Sequence, residues 1–209
     1  RAELKDYLDD YNRRVDPGDI LEITIDPVRK AILMAPSTSP GPDGVPFCAY
    51  KATVDLAGPI LLEVCQFLCL SRCDILKGFN EASLLLLPKK ETLEVEDTRP
   101  ISVNNTGNRI VARTLFLAVV DASQKLIGNY QKMFLPGRRM TDHLESINEE
   151  FYQSVLENRD YYILFTDNSK AFDSIHHDFI IASLCKQGFP DWFVNAITNS
   201  SQTLESRPL

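Results

Sequence analysis

The run Tyr161-Tyr162-Ile163-Leu164-Phe165-Thr166 is apolar, has the length of a buried strand and ends on a carboxylate, Asp167. A carboxylate at a strand end is a hard oxygen ligand suited to a divalent cation such as magnesium. It is equally suited to cap a turn or the start of a helix. Upstream stand Leu87-Pro88-Lys89-Lys90 and Thr98-Arg99-Pro100-Ile101-Ser102. A lysine point charge and the forked guanidinium of an arginine are what a triphosphate calls for, because arginine binds phosphate oxygens bidentately. Two such cations on adjacent strands of a hairpin would face one ligand, whereas in isolation both strings also read as a solvated turn. The chemistry these residues point to is a metal-assisted reaction on a phosphate-bearing substrate.

Other candidate ligands read as structural. Cys65, Cys69 and Cys73 recur every four residues, along one side of a helix. They stand among Ile60, Leu61, Val64, Leu68 and Ile75 with no histidine close in sequence, so the reading is small buried hydrophobes rather than zinc ligands. His143, His176 and His177 read as surface or helix-start residues. Five cysteines, an odd number at irregular places, argue against a disulfide framework and for a reducing compartment.

The elements that must position the charged residues follow from periodicity and punctuation. Residues 1–15 read as a polar helix ended by Asp16-Pro17-Gly18. A short helix starts at Asp26, with Pro27 at its first position. Residues 36–46, Pro-Ser-Thr-Ser-Pro-Gly-Pro-Asp-Gly-Val-Pro, are too rich in proline and glycine for helix or sheet. Apolar residues recurring at three and four predict long helices over residues 55–76 and 105–127, and an amphipathic helix over 141–157. Ala82 to Pro88 and Arg99 to Val103 read as strands, the first of them buried, joined by a polar turn. Tyr161 to Thr166 reads as a central strand. Helices over 175–187 and 191–199 follow, separated by Gly188 and Pro190. Helices with a few separated strands make the class α+β.

The chain has 209 residues, 44% of them hydrophobic, enough to bury a core. Its longest apolar run, Ile60 to Leu70, is broken by Glu63 and Gln66 and falls short of the roughly 20 residues of a membrane-spanning helix, so no membrane association is expected. No basic-then-apolar leader follows Arg1. A net charge of -7 argues against general nucleic-acid binding, yet the charge is uneven. Residues 86–139 carry nine basic and five acidic side chains, whereas residues 1–85 carry nine and thirteen and residues 140–209 four and eleven. The basic third is the one that holds both lysine and arginine strings, and a local basic surface can serve phosphates on an acidic protein.

Taken together, these strings resemble the reverse transcriptases of non-LTR (LINE-like) retrotransposons. Asp167-Asn-Ser-Lys-Ala-Phe-Asp-Ser matches that family's Asp-x-x-Lys-Ala-Phe-Asp-Ser block. Ser39-Pro-Gly-Pro-Asp-Gly-Val-Pro46 with Tyr50-Lys51, the Pro-Lys and Arg-Pro-Ile strings, Asn104 to Arg113, and Tyr130 to Arg138 with Asp142 are similar to its other blocks, in the same order. The resemblance runs from about Ile32 to Pro190.

What the resemblance implies is the fingers and a partial palm of a right-hand polymerase over residues 51–209, preceded by an N-terminal extension over 1–50. It implies RNA-directed DNA polymerase activity by two-metal nucleotidyl transfer with Mg2+, an RNA template, a DNA primer and deoxynucleoside triphosphates, in the cytoplasm or nucleus of a cell. Asp167 would be the catalytic, metal-binding aspartate. Lys89 and Arg99, with Lys90 as a substitute for Lys89, would contact the incoming triphosphate, and Phe172 would lie under its sugar and exclude a 2'-hydroxyl. Phe172 also reads as an ordinary core residue. Asp173 reads as a helix cap, and Lys170 as either a solvated charge or a substrate neighbour. Arg109, Gln131 and Arg138 would lie near the nucleic acid.

There are departures. Arg109 stands where the family usually has lysine. Met133 replaces a glycine, which would strain any left-handed backbone there. The family's Gly-Gln-Gly block and its Tyr/Phe-x-Asp-Asp hairpin have no counterpart in these residues, so the chain by itself is expected to be inactive as a polymerase. The alternative is a non-catalytic remnant that binds RNA or a protein partner through its basic third.

Overall fold

The computed structural model describes residues 13–71, 73, 78–89, 98–168, 171 and 174–201. In chain order these form α1 (Ile25–Leu33), α2 (Phe47–Ala52), α3 (Val54–Leu68), β1 (Ala82–Pro88), β2 (Thr98–Asn104), α4 (Thr106–Leu126), α5 (Thr141–Leu156), α6 (His177–Lys186) and α7 (Asp191–Ser200). Helices predominate and the strands make one antiparallel pair, so the class is α+β. Pro17–Asp19 is a single 3-10 turn whose N-cap, Asp16, accepts a hydrogen bond from the Gly18 amide at 2.9 Å.

A helical core holds the molecule. α1 and α3 pack on α4, and α7 packs on α3 and α6. Val28, Ala31 and Ile32 from α1, Leu61, Cys65 and Leu68 from α3, and Ile110, Val111, Leu115, Ala118, Val119 and Ala122 from α4 are all buried together. Their spacing of three and four is the apolar stripe that puts one face of each helix inward. Phe193, Val194 and Ala196 of α7 close the core from the other side. α7 also caps α3, because Asn199 Nδ2 donates to the carbonyls of Leu68 and Leu70 at 2.8 and 2.9 Å and Asn195 Nδ2 donates to that of Cys69 at 3.2 Å. Two asparagines thus serve carbonyls that a helix end leaves without donors.

α6 ends where Gly188 allows it to. Gly188 has φ 81°, its amide donates to Cys185 O at 3.1 Å, and the Phe189 amide donates to Leu184 O at 3.1 Å. This is a Schellman closure, with the following Phe189 buried against the core.

Three parts stand outside that core. In the hairpin all seven residues of β1 are exposed, with Leu84 to Leu87 between 45% and 61% accessible, where the sequence reads as a buried strand. The helix α5 forms as expected, but Leu144, Phe151, Tyr152, Val155 and Leu156 are 56–62% accessible. The largest difference is the run Tyr161 to Thr166, which has no regular secondary structure and exposes Tyr162, Leu164 and Phe165 by 86%, 87% and 81%. An apolar run becomes a strand only when another strand takes its amides and carbonyls, and among the described residues the sole strand pairing is β1 with β2.

The remaining boundaries move by small amounts. α1 begins at Ile25 with Thr24 at its N-cap, which puts Pro27 in the first turn rather than at the first position. α3 ends at Leu68, earlier than the apolar pattern suggests, with Cys69 as its C-cap. Cys65 is buried and Cys69 partly so. Burial, with Cys69 nearby, pushes the Cys65 thiol up to about 12, and burial, with Cys73 nearby, pushes Cys69 up to about 11. These are the inert, protonated thiols of a core.

Candidate functional site

The hairpin supplies the first half of the site. β1 and β2 pair from Ala82↔Asn104 to Pro88↔Thr98, so Leu87 faces Arg99 across the ladder. Lys89 follows β1 directly, one residue beyond the last pair of the ladder, and so stands at the same end of the hairpin as Arg99. Both cations are exposed. Pro100 sits within β2 opposite Leu86, where the missing amide is tolerated because each strand of a two-stranded ribbon has an open edge. Lys90 lies outside the described residues.

The hairpin is rooted in a tied loop. Residues 36–46 pass over the N-terminus of α4, where Asn105 is the N-cap residue. Asn105 Oδ1 accepts from the Asp43 amide at 3.1 Å, and Asn105 Nδ2 donates to Gly78 O at 3.2 Å, so one side chain links the loop to the chain entering β1. Thr106 Oγ1 donates to Val45 O at 2.6 Å and Lys51 Nζ to Ala35 O at 2.6 Å. Gly41 is obligatory here, because a Cβ on it would lie 2.5–2.6 Å from backbone atoms of Asn104 and Asn105.

Arg109 belongs to this same tie. Its Nη1 donates to Thr38 Oγ1 at 2.9 Å, its Nη2 to Ser39 O at 2.6 Å, and its guanidinium lies 4.7 Å from the Phe47 ring centroid. Nε is buried without a partner. The side chain is therefore directed at the loop. Tyr50 packs beside Gly107 of α4, and burial, with Asp43 nearby, raises its hydroxyl above the ordinary tyrosine range.

Arg138 turns inward as well. Its Nη1 donates to the carbonyls of Gly128 and Gln131, both at 2.7 Å, and its Nη2 to those of Gln124 and Ile127 at 3.1 and 2.9 Å. A guanidinium fork is the side chain that can reach several carbonyls at the C-terminal end of a helix, where positive charge also meets the negative end of the dipole. Gln131 is exposed, and its Nε2 donates to Met133 O at 3.3 Å. Met133 is not the strained residue; the left-handed backbone falls one position on, at Phe134 with φ 66°.

Asp167 is exposed at the end of the irregular segment. Phe172, Asp173 and Lys170 lie outside the described residues. Among those described, no group of three His, Cys, Asp or Glu side chains could hold a metal ion. Asp167 offers one hard carboxylate oxygen donor set, a partial shell for magnesium and not a complete one.

The ties made by Asn105 and Thr106 were beyond motif reading. Their one signal is position, since asparagine and threonine at a strand-to-helix junction are residues that hydrogen-bond a neighbouring backbone.

The chain is similar to two proteins of transposable elements. It is 28% identical over 174 residues to the "Transposon TX1 uncharacterized 149 kDa protein" of Xenopus laevis, covering 82% of the chain and 13% of that protein. It is 29% identical over 167 residues to the "Retrovirus-related Pol polyprotein from type-2 retrotransposable element R2DM" of Drosophila melanogaster, covering 78% of the chain and 15% of that polyprotein. The chain thus spans about a seventh of the length of these relatives. No family model matches it.

Proposed function

We propose that this chain is the fingers and first part of the palm of a retroelement reverse transcriptase, an RNA-directed DNA polymerase. The observation that carries this reading is the hairpin, in which Arg99 is paired within the exposed ladder and Lys89 directly follows β1, so two exposed cations stand at the same end of one ribbon. The similarity to a Pol polyprotein of a retrotransposable element supports it. Template RNA, primer DNA and deoxynucleoside triphosphates are the proposed partners, and an intracellular site of action, cytoplasm or nucleus, goes with them.

In this reading Arg99 takes the triphosphate through two parallel N-H donors while Lys89 adds a point charge that needs no fixed orientation. Arg99 is set on the ladder and Lys89 at its end, and the ladder is set by the Asn105 tie, so the guanidinium is held in place before the substrate arrives. Magnesium, when bound, would neutralise charge developing on the transferred phosphoryl group. Asp167 is the residue that would hold it, together with substrate oxygens and further carboxylates beyond the described residues. Phe172, in the same proposal, would bar the ribose 2'-hydroxyl.

The test has two arms. Photo-crosslinking of a labelled deoxynucleoside triphosphate should label the 209-residue chain at the hairpin and be lost in Lys89→Ala with Arg99→Ala. Unchanged labelling of that double variant would remove the basis of the reading. Primer extension by this chain on an RNA template with magnesium should be absent, since one carboxylate does not make a two-metal centre. Robust extension abolished by Asp167→Asn would overturn the view that the chain is only part of the machinery.

A further inference from the structure

α5 stands apart from the helical core and contributes no side chain to it. Of its 16 residues only Ser154 is buried. A helix of this length is marginal in water by itself, because most helical stability in proteins comes from packing an apolar face. α5 has such a face and leaves it open. Leu144, Ile147, Phe151 and Val155 recur at three and four residues along one side, and Leu144, Phe151 and Val155 are 56–61% accessible.

The end of the helix extends that surface. Asn158 has φ 52°, its amide donates to Val155 O at 3.2 Å, and the Arg159 amide donates to Ser154 O at 2.8 Å. This Schellman closure turns the chain back, so that the Tyr161 ring meets the Phe151 ring edge-on with centroids 6.1 Å apart. Two rings already in contact, with Tyr152 exposed on the same helix, form the kind of aromatic patch that anchors protein partners.

Beside the apolar row runs an acidic one. Asp142, Glu145 and Glu149 recur at three and four residues on the adjoining side, and Glu150 stands on the opposite flank. Among the described residues no lysine or arginine pairs with Glu145, Glu149 or Glu150. Residues 140–167 hold seven carboxylates and one arginine, Arg159, which lies 2.5 Å from Glu157, and so bear nearly all of the net charge of -7. Such a surface repels polynucleotide and anionic lipid. A second copy docked face to face would set like charges against each other, which costs affinity. What fits is a helix with an apolar stripe of its own flanked by lysine and arginine, because the stripes then meet as a seam and the flanking charges pair across it.

We propose that α5, with Tyr161 beside it, is a docking site for a basic amphipathic helix of a partner protein. Leu144, Phe151 and Val155 form the seam, and Glu145 and Glu149 select the charge of the partner. The polymerase reading is not a premise, since neither hairpin cation nor Asp167 takes part.

The experiment is fluorescence anisotropy of a labelled helical peptide of leucine and lysine, about 18 residues long to match α5 at about 1.5 Å per residue, titrated with the 209-residue chain. Its leucines are spaced at three and four. One comparison peptide has glutamate in place of lysine, and another has the same composition in scrambled order. The lysine peptide should bind at least tenfold more tightly than either, with affinity falling between 0.05 and 0.5 M salt as flanking charges are screened, about the range in which the Debye length shrinks to a few Å. Glu145→Lys with Glu149→Lys should reverse the preference, so that the glutamate peptide binds better. Leu144→Gln with Phe151→Gln changes two exposed residues to a good helix former, so Tm should hold while Kd rises about tenfold. Amide exchange across α5 should slow when the lysine peptide is added. Equal binding of the scrambled peptide, parent-like affinity in either folded double variant, or protection confined to other elements would overturn the proposal. So would loss of self-association in Leu144→Gln with Phe151→Gln, since that outcome makes a second copy the occupant.

Discussion

Arg138 illustrates how a charged residue within a motif serves the fold. Its guanidinium gathers the carbonyls of Gln124 and Ile127 at the C-terminal end of α4 and those of Gly128 and Gln131 in the loop that follows. Hydrogen bonds to a charged group contribute about 1.5–3 kcal/mol in mutational series, and partial exposure puts this one toward the low end. Arg138→Lys keeps the charge but not the fork, so it should lower stability by ~1–2 kcal/mol in urea denaturation. Loss of polynucleotide affinity in Arg138→Lys with no loss of stability would instead identify a direct contact. The cysteines give a second prediction at this scale. Cys65 and Cys69 have thiols raised to about 12 and about 11 by burial, against a model-peptide value of about 8.5. Between those limits the unfolded chain has lost protons that the folded chain keeps, so stability is fully present below about pH 8.5 and falls as pH rises through 9 to 11. Urea midpoints measured from pH 7 to 10.5 should hold level and then decline, and Cys65→Ala should make the decline shallower. A parent curve that stays flat to pH 10.5 would contradict the burial of these thiols.

At the level of elements, the tied loop depends on one close approach. Gly41→Ala forces a Cβ to within 2.5–2.6 Å of the backbone of Asn104 and Asn105, and backbone cannot rotate away as a side chain can. The expected cost is about 1–3 kcal/mol, the usual range for overpacking, with loosening of the Asp43–Asn105 bond. Gly44→Ala is the control. Gly44 has φ +69° and open space around it, so only the left-handed strain of about 1–2 kcal/mol applies and the loop path should survive. Amide exchange at Asp43 distinguishes the two, since Gly41→Ala should accelerate it and Gly44→Ala should not. Elements bounded by strong punctuation were legible from sequence: Pro88 closes β1, and Gly188 with Pro190 separates α6 from α7, as expected. The Tyr161 to Thr166 run was not, because apolar composition reports a capacity for burial while a strand also needs a partner for its backbone. Arg109 shows a related limit of motif reading. The resemblance implies a place for it near the nucleic acid, and only the fold reveals that Thr38, Ser39 and Phe47 lie within its reach.

Considered whole, the chain joins a packed helical core to apolar surface that nothing among the described residues covers. Leu84 to Leu87 and Ile101 of the hairpin, Phe151, Tyr152, Val155 and Leu156 on α5, and Tyr162 to Phe165 are all substantially exposed. Contiguous apolar surface beyond a few hundred Å² is uncommon on monomers, and the hairpin also presents open strand edges, the usual route to intermolecular pairing. Opposing association is the net charge of -7, whose repulsion between copies is long-ranged at low salt. The two effects respond to salt in different ways, because raising ionic strength shortens the repulsion and leaves apolar contact and strand pairing intact. Sedimentation of the 209-residue chain should therefore report a shift from monomer toward larger species as protein concentration rises, with the shift starting at lower concentration in 0.5 M salt than in 0.05 M. Leu164→Lys with Phe165→Lys removes two highly accessible apolar side chains of the irregular segment without touching the core, and should raise the concentration needed for association while leaving Tm unchanged. Leu84→Lys with Leu86→Lys, on one face of β1, separates the contribution of the hairpin from that of the segment. A sharp monomer boundary for the parent chain at high concentration and high salt would mean that these surfaces are covered within the molecule, and the exposed hairpin and segment would no longer describe it.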